Sequence, residues 1–403
     1  VSVALAYADA RGRFYFDDRT QPLSDTGVIS EPLAADLIPA PDGTVPVVLP
    51  EREPLVRGGR SRGRTALGAL LPAGFTRLAV PAYAARPGAP TLPLFGYTFA
   101  CAVGDELHVA AMRTDEAEDW SPRRFAEGEL EAILQARTER APRNRVLRQL
   151  ALCSLDYGCF TAQNVFLEQG EAALPVSPVC NARCVGCISE LDADAGIPSP
   201  QTRIRYEAEA AEIADVALHH LQRVPQGIVS FGQGCEGEPL LRSITIAEAI
   251  RRIRAQSSAG TINLNTNGSL PKPLAAVIGA GLQAIRISLN SFRPEIYAAY
   301  YRPIGYSLED VFESVRLAAG SGVRVSLNLL THPGVTDDEP ELEAMERALA
   351  GVNVAMIQTR TLNIDPEIYF ARAGRPRKPL GMRAAIGRIR AAGIRVGNFT
   401  HAH

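Results

Sequence analysis

Three cysteines, Cys180, Cys184 and Cys187, stand at spacings of four and three residues in the stretch Pro178-Val-Cys180-Asn-Ala-Arg-Cys184-Val-Gly-Cys187. A loop this short brings three sulfurs to one side, a donor set suited to a soft metal centre. A closed structural zinc site needs four ligands, and no fourth Cys or His follows at the usual spacing. A four-iron cluster held by only three thiolates keeps one iron open to a further ligand, which is a catalytic arrangement. A zinc knuckle or three buried thiols are the alternatives.

The residues around the loop extend the pattern. Cys180, Cys184 and Cys187 resemble the three-cysteine signature of the radical S-adenosylmethionine (radical SAM) superfamily, over roughly residues 172 to 365. In that family the open iron is chelated by the amino and carboxylate groups of S-adenosylmethionine. The stretch Ser230-Phe-Gly-Gln-Gly-Cys-Glu-Gly-Glu-Pro239 is similar to the family's Gly-Gly-Glu-Pro segment. Gly237 and Glu238 match it, whereas Glu236 stands where a glycine is usual. Taken alone it is a glycine-rich turn. The turn Asn265-Thr266-Asn267-Gly268 resembles the family's Thr-Asn-Gly turn beside the nucleotide, although Asn-Gly by itself signals only a turn. Ser288-Leu-Asn290 resembles its Ser-Leu-Asp/Asn stretch, and Asn328 is a further candidate. The resemblance thus implies cofactor contacts from Gly237, Glu238, Thr266, Asn267, Ser288, Asn290 and Asn328. The position before the third cysteine, usually an aromatic residue touching adenine, is Gly186, and that contact is not expected here.

The elements that must position these residues alternate from residue 172 onward, the mark of a parallel sheet or barrel. Strand-like runs lie at 172–176, 227–232, 261–266, 284–290, 324–330 and 354–362. Helical stretches intervene at about 205–222, 244–256, 271–281, 307–319 and 338–350. The resemblance implies a partial, TIM-like (β/α)6 barrel at residues 171–365. Side chains along a strand alternate between faces. Ile285, Ile287 and Leu289 therefore oppose Arg286, Ser288 and Asn290. Val325, Leu327 and Leu329 oppose Ser326 and Asn328. Ile262 and Leu264 oppose Asn263 and Asn265, and Gln358 and Arg360 fall on the polar side. Unpartnered buried polar groups cost about 1–3 kcal/mol each. One amide and hydroxyl face on several neighbouring strands therefore implies water or a polar ligand inside. Substrate contacts are expected from the same end of the strands: Arg293, Tyr301, Arg302, His332 and Arg360. The Tyr/Arg group reads equally as a packed helix start.

Residues 1–120 read as a mostly-β domain with hairpins at Val3–Phe16 and around Gly104-Asp105. The run Arg57-Gly-Gly-Arg-Ser-Arg-Gly-Arg64 reads as a solvated loop rather than a phosphate cradle. Residues 121–170 form a helical bridge with helices over Phe125–Arg137 and Arg145–Leu152, and residues 366–403 add a helix near Met382–Ala392 and a strand at Ile394–Phe399. Cys101, Cys153, Cys159 and Cys235 lie outside the loop. They are either core thiols or ligands of a second cluster.

The chain has 403 residues, 46% hydrophobic and 21% charged, with a formal charge of −2. Such a charge offers no footprint for nucleic acid. No run of about 20 apolar residues would span a membrane. Cysteine usage and the absence of a signal-peptide layout lead us to expect a reducing cytoplasm. The resemblance implies a [4Fe–4S] cluster and S-adenosylmethionine as cofactors. It also implies an electron donor of flavodoxin or ferredoxin type, and a 5′-deoxyadenosyl radical that removes hydrogen from an unidentified substrate. The competing function is a non-catalytic iron–sulfur or zinc sensor or scaffold.

Overall fold

Runs of branched apolar residues alternating with amphipathic helical stretches fold here as repeated strand–helix units. The computed structural model describes residues 3–115, 129–376 and 378–398. Seven parallel strands form one sheet in sequence order: β1 (Glu171–Leu174), β2 (Ile228–Phe231), β3 (Thr261–Thr266), β4 (Ala284–Leu289), β5 (Arg324–Thr331), β6 (Met356–Thr361) and β7 (Arg395–Gly397). The short C-terminal strand expected from the sequence is thus a seventh member, paired with β6 through Met356↔Arg395 and Ile357↔Val396. Parallel neighbours need crossovers. They are supplied by helices α4 (Ala210–Arg223), α5 (Ser243–Arg254), α6 (Pro271–Gly279), α8 (Leu308–Gly320), α9 (Glu339–Leu349) and α11 (Met382–Ala391).

The sheet is curled. Glu171 of β1 and Arg286 of β4 form an ion pair at 2.5 Å, although their strands are three apart. In a flat sheet that separation is about 14 Å, at about 4.8 Å per strand. The outer face buries Ile262, Leu264, Ile285, Ile287, Val325, Leu327 and Ile357 against the helices.

Two further helices lie in the loops after β4 and β6: α7 (Pro294–Tyr301) and α10 (Pro366–Ala373). Each has proline in its first turn, where the missing N–H costs nothing. Their few residues carry too short a period to stand out in the sequence. Ahead of the sheet, α1 (Glu129–Arg140), α2 (Arg145–Asp156) and α3 (Phe160–Leu167) form the bridge. Residues 125–128 of the first expected helix lie outside the described residues, as does Phe399. Asn144 caps α2, accepting from the backbone N–H of Leu147 at 2.9 Å.

The N-terminal residues form antiparallel strands, with the expected hairpins Val3–Ala8/Phe14–Asp17 and Thr98–Val103/Glu106–Arg113. Arg57, Arg60 and Arg64 pair with Glu31, Glu53 and Asp17, so most of the arginine-rich run faces its own carboxylates. This region docks on the carboxyl ends of β5 and β6. Arg52 meets Asp365 at 2.9 Å with both side chains 2% exposed. Arg77 donates to the carbonyls of Tyr97, Leu362 and Thr331. Burial lowers the Arg77 guanidinium to about 9. A Cβ on Gly27 would stand 2.8 Å from Gly334 Cα, so two glycines admit the two backbones to contact.

Candidate active site

The cysteine loop is held from both sides. On one side stands the turn after β2. Glu236 accepts from four backbone N–H groups: Val176 (2.7 Å) and Ser177 (2.8 Å) on one oxygen, Gly232 (2.9 Å) and Gln233 (2.7 Å) on the other. Burial pushes its carboxyl up to about 7, while those amides act to keep it ionised. Gly237 follows, its N–H donating to Ser177 O at 2.7 Å. A Cβ there would lie 2.0 Å from Val179 O and 3.0 Å from Cys180 N, so only glycine lets this backbone lie on the loop. Glu238 N then donates to Val179 O at 2.9 Å. The Glu238 carboxylate accepts from Thr266 Oγ1 (2.5 Å), Asn267 N (2.8 Å) and Leu240 N (2.9 Å). Burial raises it to about 7. With three of about four lone-pair positions engaged, it retains one for a ligand donor. Asn267 Nδ2 reaches Asn181 Oδ1 at 2.9 Å, joining the turn after β3 to the same loop.

On the other side stands the end of α7. Arg183 N donates to Tyr301 O (3.1 Å), Val185 N to Tyr300 O (3.0 Å) and Ile304 N to Asn181 O (2.8 Å). A Cβ on Gly186 would lie 2.8 Å from the Tyr300 hydroxyl and 3.1 Å from Asn363 O. The missing side chain before the third cysteine is thus replaced in space by a tyrosine from another element. Gly186→Tyr is expected to displace Tyr300 and lower iron content, and the double variant with Tyr300→Gly to recover part of it. Iron and sulfide analysis after anaerobic reconstitution measures both.

The thiols interact with one another. Burial raises Cys180 to about 11, and burial with neighbouring Cys187 and Cys180 raises Cys184 well above the ordinary thiol value. Arg203 Nη2 donates to Cys187 Sγ at 3.5 Å.

Beside the loop the sheet encloses a polar hollow. Along β5 burial alternates residue by residue, with Ser326 and Asn328 accessible and Val325, Leu327 and Leu329 buried. Arg286 and Ser288 on β4 and Asn265 on β3 are likewise accessible. Its deeper end is a network. Arg286 and Ser230 donate to Glu171, and Asn263 Nδ2 donates to Ser230 Oγ and Asn265 Oδ1, each at 3.0 Å. Asn328 donates to Ser288 Oγ at 3.1 Å, and its Oδ1 is buried without a partner.

The sequence candidates divide into two groups. Gly237, Glu238, Thr266 and Asn267 adjoin the cysteine loop, and Ser288, Asn328 and Arg360 line the hollow. Asn290 does not face the hollow: it is fully buried, donating to Tyr369 OH at 3.1 Å and so fixing α10. Tyr301 is packed, its ring stacked on Tyr297 at 4.5 Å between centroids. Arg302 caps α7 in the left-handed region, φ 48°, and pairs with Asp192. Arg293 pairs with Glu295 and Asp338. His332 is fully buried beside Tyr369 and Phe370 and held neutral by burial, with Nδ1 toward Pro333 O at 2.7 Å. It is neither solvated nor placed to protonate a ligand in the hollow. Asn181, Arg203 and Glu171 are not singled out by the sequence, and Glu236 stands out there only as a departure from the glycine motif. A lone charge opening an apolar strand is the signal that would have found Glu171.

All seven cysteines are free. Cys153 of α2 and Cys235 lie close enough to influence each other's thiols, with Cys159 nearby. Among the described residues, no three His, Cys, Asp or Glu side chains converge on a single metal ion.

Residues 174–345 match the profile of the Radical SAM superfamily. That stretch of the chain is a Radical SAM domain. The chain is similar to GTP 3′,8-cyclases from Heliobacterium modesticaldum (32% identical over 168 residues, 41% of this chain and 47% of the relative) and Streptomyces coelicolor (30% over 168 residues, 41% and 46%). It spans about half the length of these curated relatives. Among solved structures, it resembles a radical SAM methyltransferase from Sphaerobacter thermophilus (14% identical, 56% of this chain and 64% of that one, TM-score 0.39). It also resembles methylornithine synthase (14% identical, 68% and 71%, TM-score 0.41).

The cofactors of a radical SAM chain are a [4Fe–4S] cluster and S-adenosylmethionine. The residues here fit them. Three thiols share one loop, the Gly237 backbone lies against that loop without room for a side chain, and Asn328 offers an unpartnered acceptor.

Proposed function

We propose that this chain is a radical SAM enzyme whose cluster and nucleotide lie at the carboxyl end of a partial (β/α)6 barrel. The observation that carries the reading is the three-cysteine loop backed against Gly237 at the rim of a polar, accessible hollow. When bound, the cluster and S-adenosylmethionine together supply one-electron cleavage of a carbon–sulfur bond, and through it hydrogen abstraction from a substrate.

The protein's own contributions follow from the geometry. Cys180, Cys184 and Cys187 ligate the cluster, and Arg203 offsets charge at Cys187. Glu238 would hold the methionine amino group, and Thr266 and Asn267 hold that carboxylate in place. Ser288 and Asn328 face the nucleotide. Tyr300 and Tyr301 seal the loop from the outer side. Residues 3–115 cover the carboxyl ends of β5 and β6, residues 129–170 bridge to the barrel, and residues 366–376 and 378–398 complete its far edge. The electron comes from a flavodoxin- or ferredoxin-type donor in a reducing cytoplasm, a setting consistent with seven free thiols. No helix among the described residues is long and apolar enough to cross a membrane. GTP, the compound in the relatives' names, is the first substrate to try.

Anaerobic reconstitution, dithionite reduction and chromatography for 5′-deoxyadenosine test the proposal. The wild type is expected to form it from S-adenosylmethionine. A protein that holds a four-iron cluster yet forms none would instead be a sensor or scaffold.

A further inference from the structure

Two guanidinium groups enter the hollow, and only one has a carboxylate partner in contact. Arg286 pairs with Glu171. Arg360, near the carboxyl end of β6, makes a single hydrogen bond, from Nη1 to the carbonyl of Asn398 at 2.7 Å. Among the described residues its remaining donors have no partner, and the carboxylates of Glu171 and Asp115 act on it only from beyond ion-pair distance. Its electrostatic neighbours include Arg286 and Glu171, which places the head on the inner side of the sheet. The residue is exposed, and strand parity sets it on the inner face with Gln358, at the mouth of the hollow. Arg286 repels it across that space. An anion between two neighbouring cations relieves their repulsion, and a guanidinium fork matches the paired oxygens of a carboxylate or phosphate.

We propose that Arg360 is the anchor of an anion site in the hollow, and that the substrate carries a carboxylate or phosphate group which it holds in bidentate fashion. Neighbouring Gln358, paired in register with Asn328, lies on the same inner face and places the anion one step from the residues proposed to face the nucleotide. This rests on the hollow being the reaction chamber. The anion is held at the β6 side, away from the cysteine loop on the β1–β2 side, which leaves the space between them for the substrate's reacting carbon.

Calorimetric titration of the reconstituted full-length chain with inorganic pyrophosphate, and separately with malonate, tests this without requiring turnover. One of the two is expected to bind the wild type, identifying the phosphate or the carboxylate class. Arg360→Gln is expected to weaken it on the order of tenfold to a hundredfold. Arg360→Lys, which keeps the charge but not the fork, is expected to fall between, and also serves if the glutamine variant folds poorly. Arg383→Gln, on an exposed arginine that pairs with Asp36, should change nothing. S-Adenosylmethionine affinity should be equal in wild type and Arg360→Gln. Binding of neither anion at about 10 mM, or equal anion binding by Arg360→Gln, overturns the proposal. So does a loss confined to S-adenosylmethionine, since Arg360 would then serve the cofactor. Because 5′-deoxyadenosine formation is scored separately, the anion site and the enzymatic reading can fail independently.

Discussion

Cys184→Ala is expected to leave the chain folded, to prevent a stable four-iron cluster from assembling, and to abolish 5′-deoxyadenosine formation. Cys184 is the middle thiol, and burial and both neighbouring cysteines raise it furthest above the usual range. The loop itself does not depend on that sulfur. Its backbone is held by the N–H groups of Arg183 and Val185 donating to the end of α7, and by those of Gly237 and Glu238 donating to Ser177 and Val179. Alanine removes one small side chain and forces no backbone change. Iron content falling toward background, with an unchanged unfolding midpoint, is the expected pair of results. A variant that retains four irons and full cleavage would mean that Cys184 is not a cluster ligand.

Glu236→Gln is expected to be nearly as destabilising as Glu236→Ala, despite its close similarity in shape. Each Glu236 oxygen accepts two backbone N–H groups. An amide replaces one acceptor with a donor, so either orientation leaves two buried N–H groups facing an NH2 group. At about 1–3 kcal/mol for each unsatisfied donor, the loss is about 2–6 kcal/mol. At 2–4 °C per kcal/mol for a unit of this size, that is a fall in midpoint of roughly 10 °C. Two of the freed amides belong to Val176 and Ser177, just ahead of Cys180, so iron retention should fall with stability. Thermal unfolding followed by circular dichroism, with iron analysis on the same samples, checks both. A glutamine variant as stable as wild type would show that the four-amide staple has little weight.

The polar and apolar faces of β3, β4 and β5 were legible because strand parity depends on nothing but residue order, and the structure places Asn265, Arg286, Ser288 and Asn328 on the accessible side. Contacts between distant segments leave no such trace. Gly186 looks like a lost contact until Tyr300 is seen to occupy its space. Glu236 looks like a mismatch with a glycine motif until its four amide donors, drawn from residues up to sixty positions away, are in view. His332 reads as a loop residue beside Pro333-Gly334, yet α10, too short to announce itself by period, buries it under Tyr369 and Phe370. Asn290 shares the parity of Ser288, but it follows the last residue of β4 and turns to Tyr369 instead.

The central claim is that three thiolates of one loop hold a four-iron cluster whose remaining iron accepts S-adenosylmethionine. Electron paramagnetic resonance of the anaerobically reduced protein, recorded with and without S-adenosylmethionine, tests it most directly. The account predicts a reduced four-iron signal whose g-values shift when the nucleotide is added. A spectrum that the nucleotide leaves unchanged, or a metal analysis finding zinc in place of iron, would contradict it.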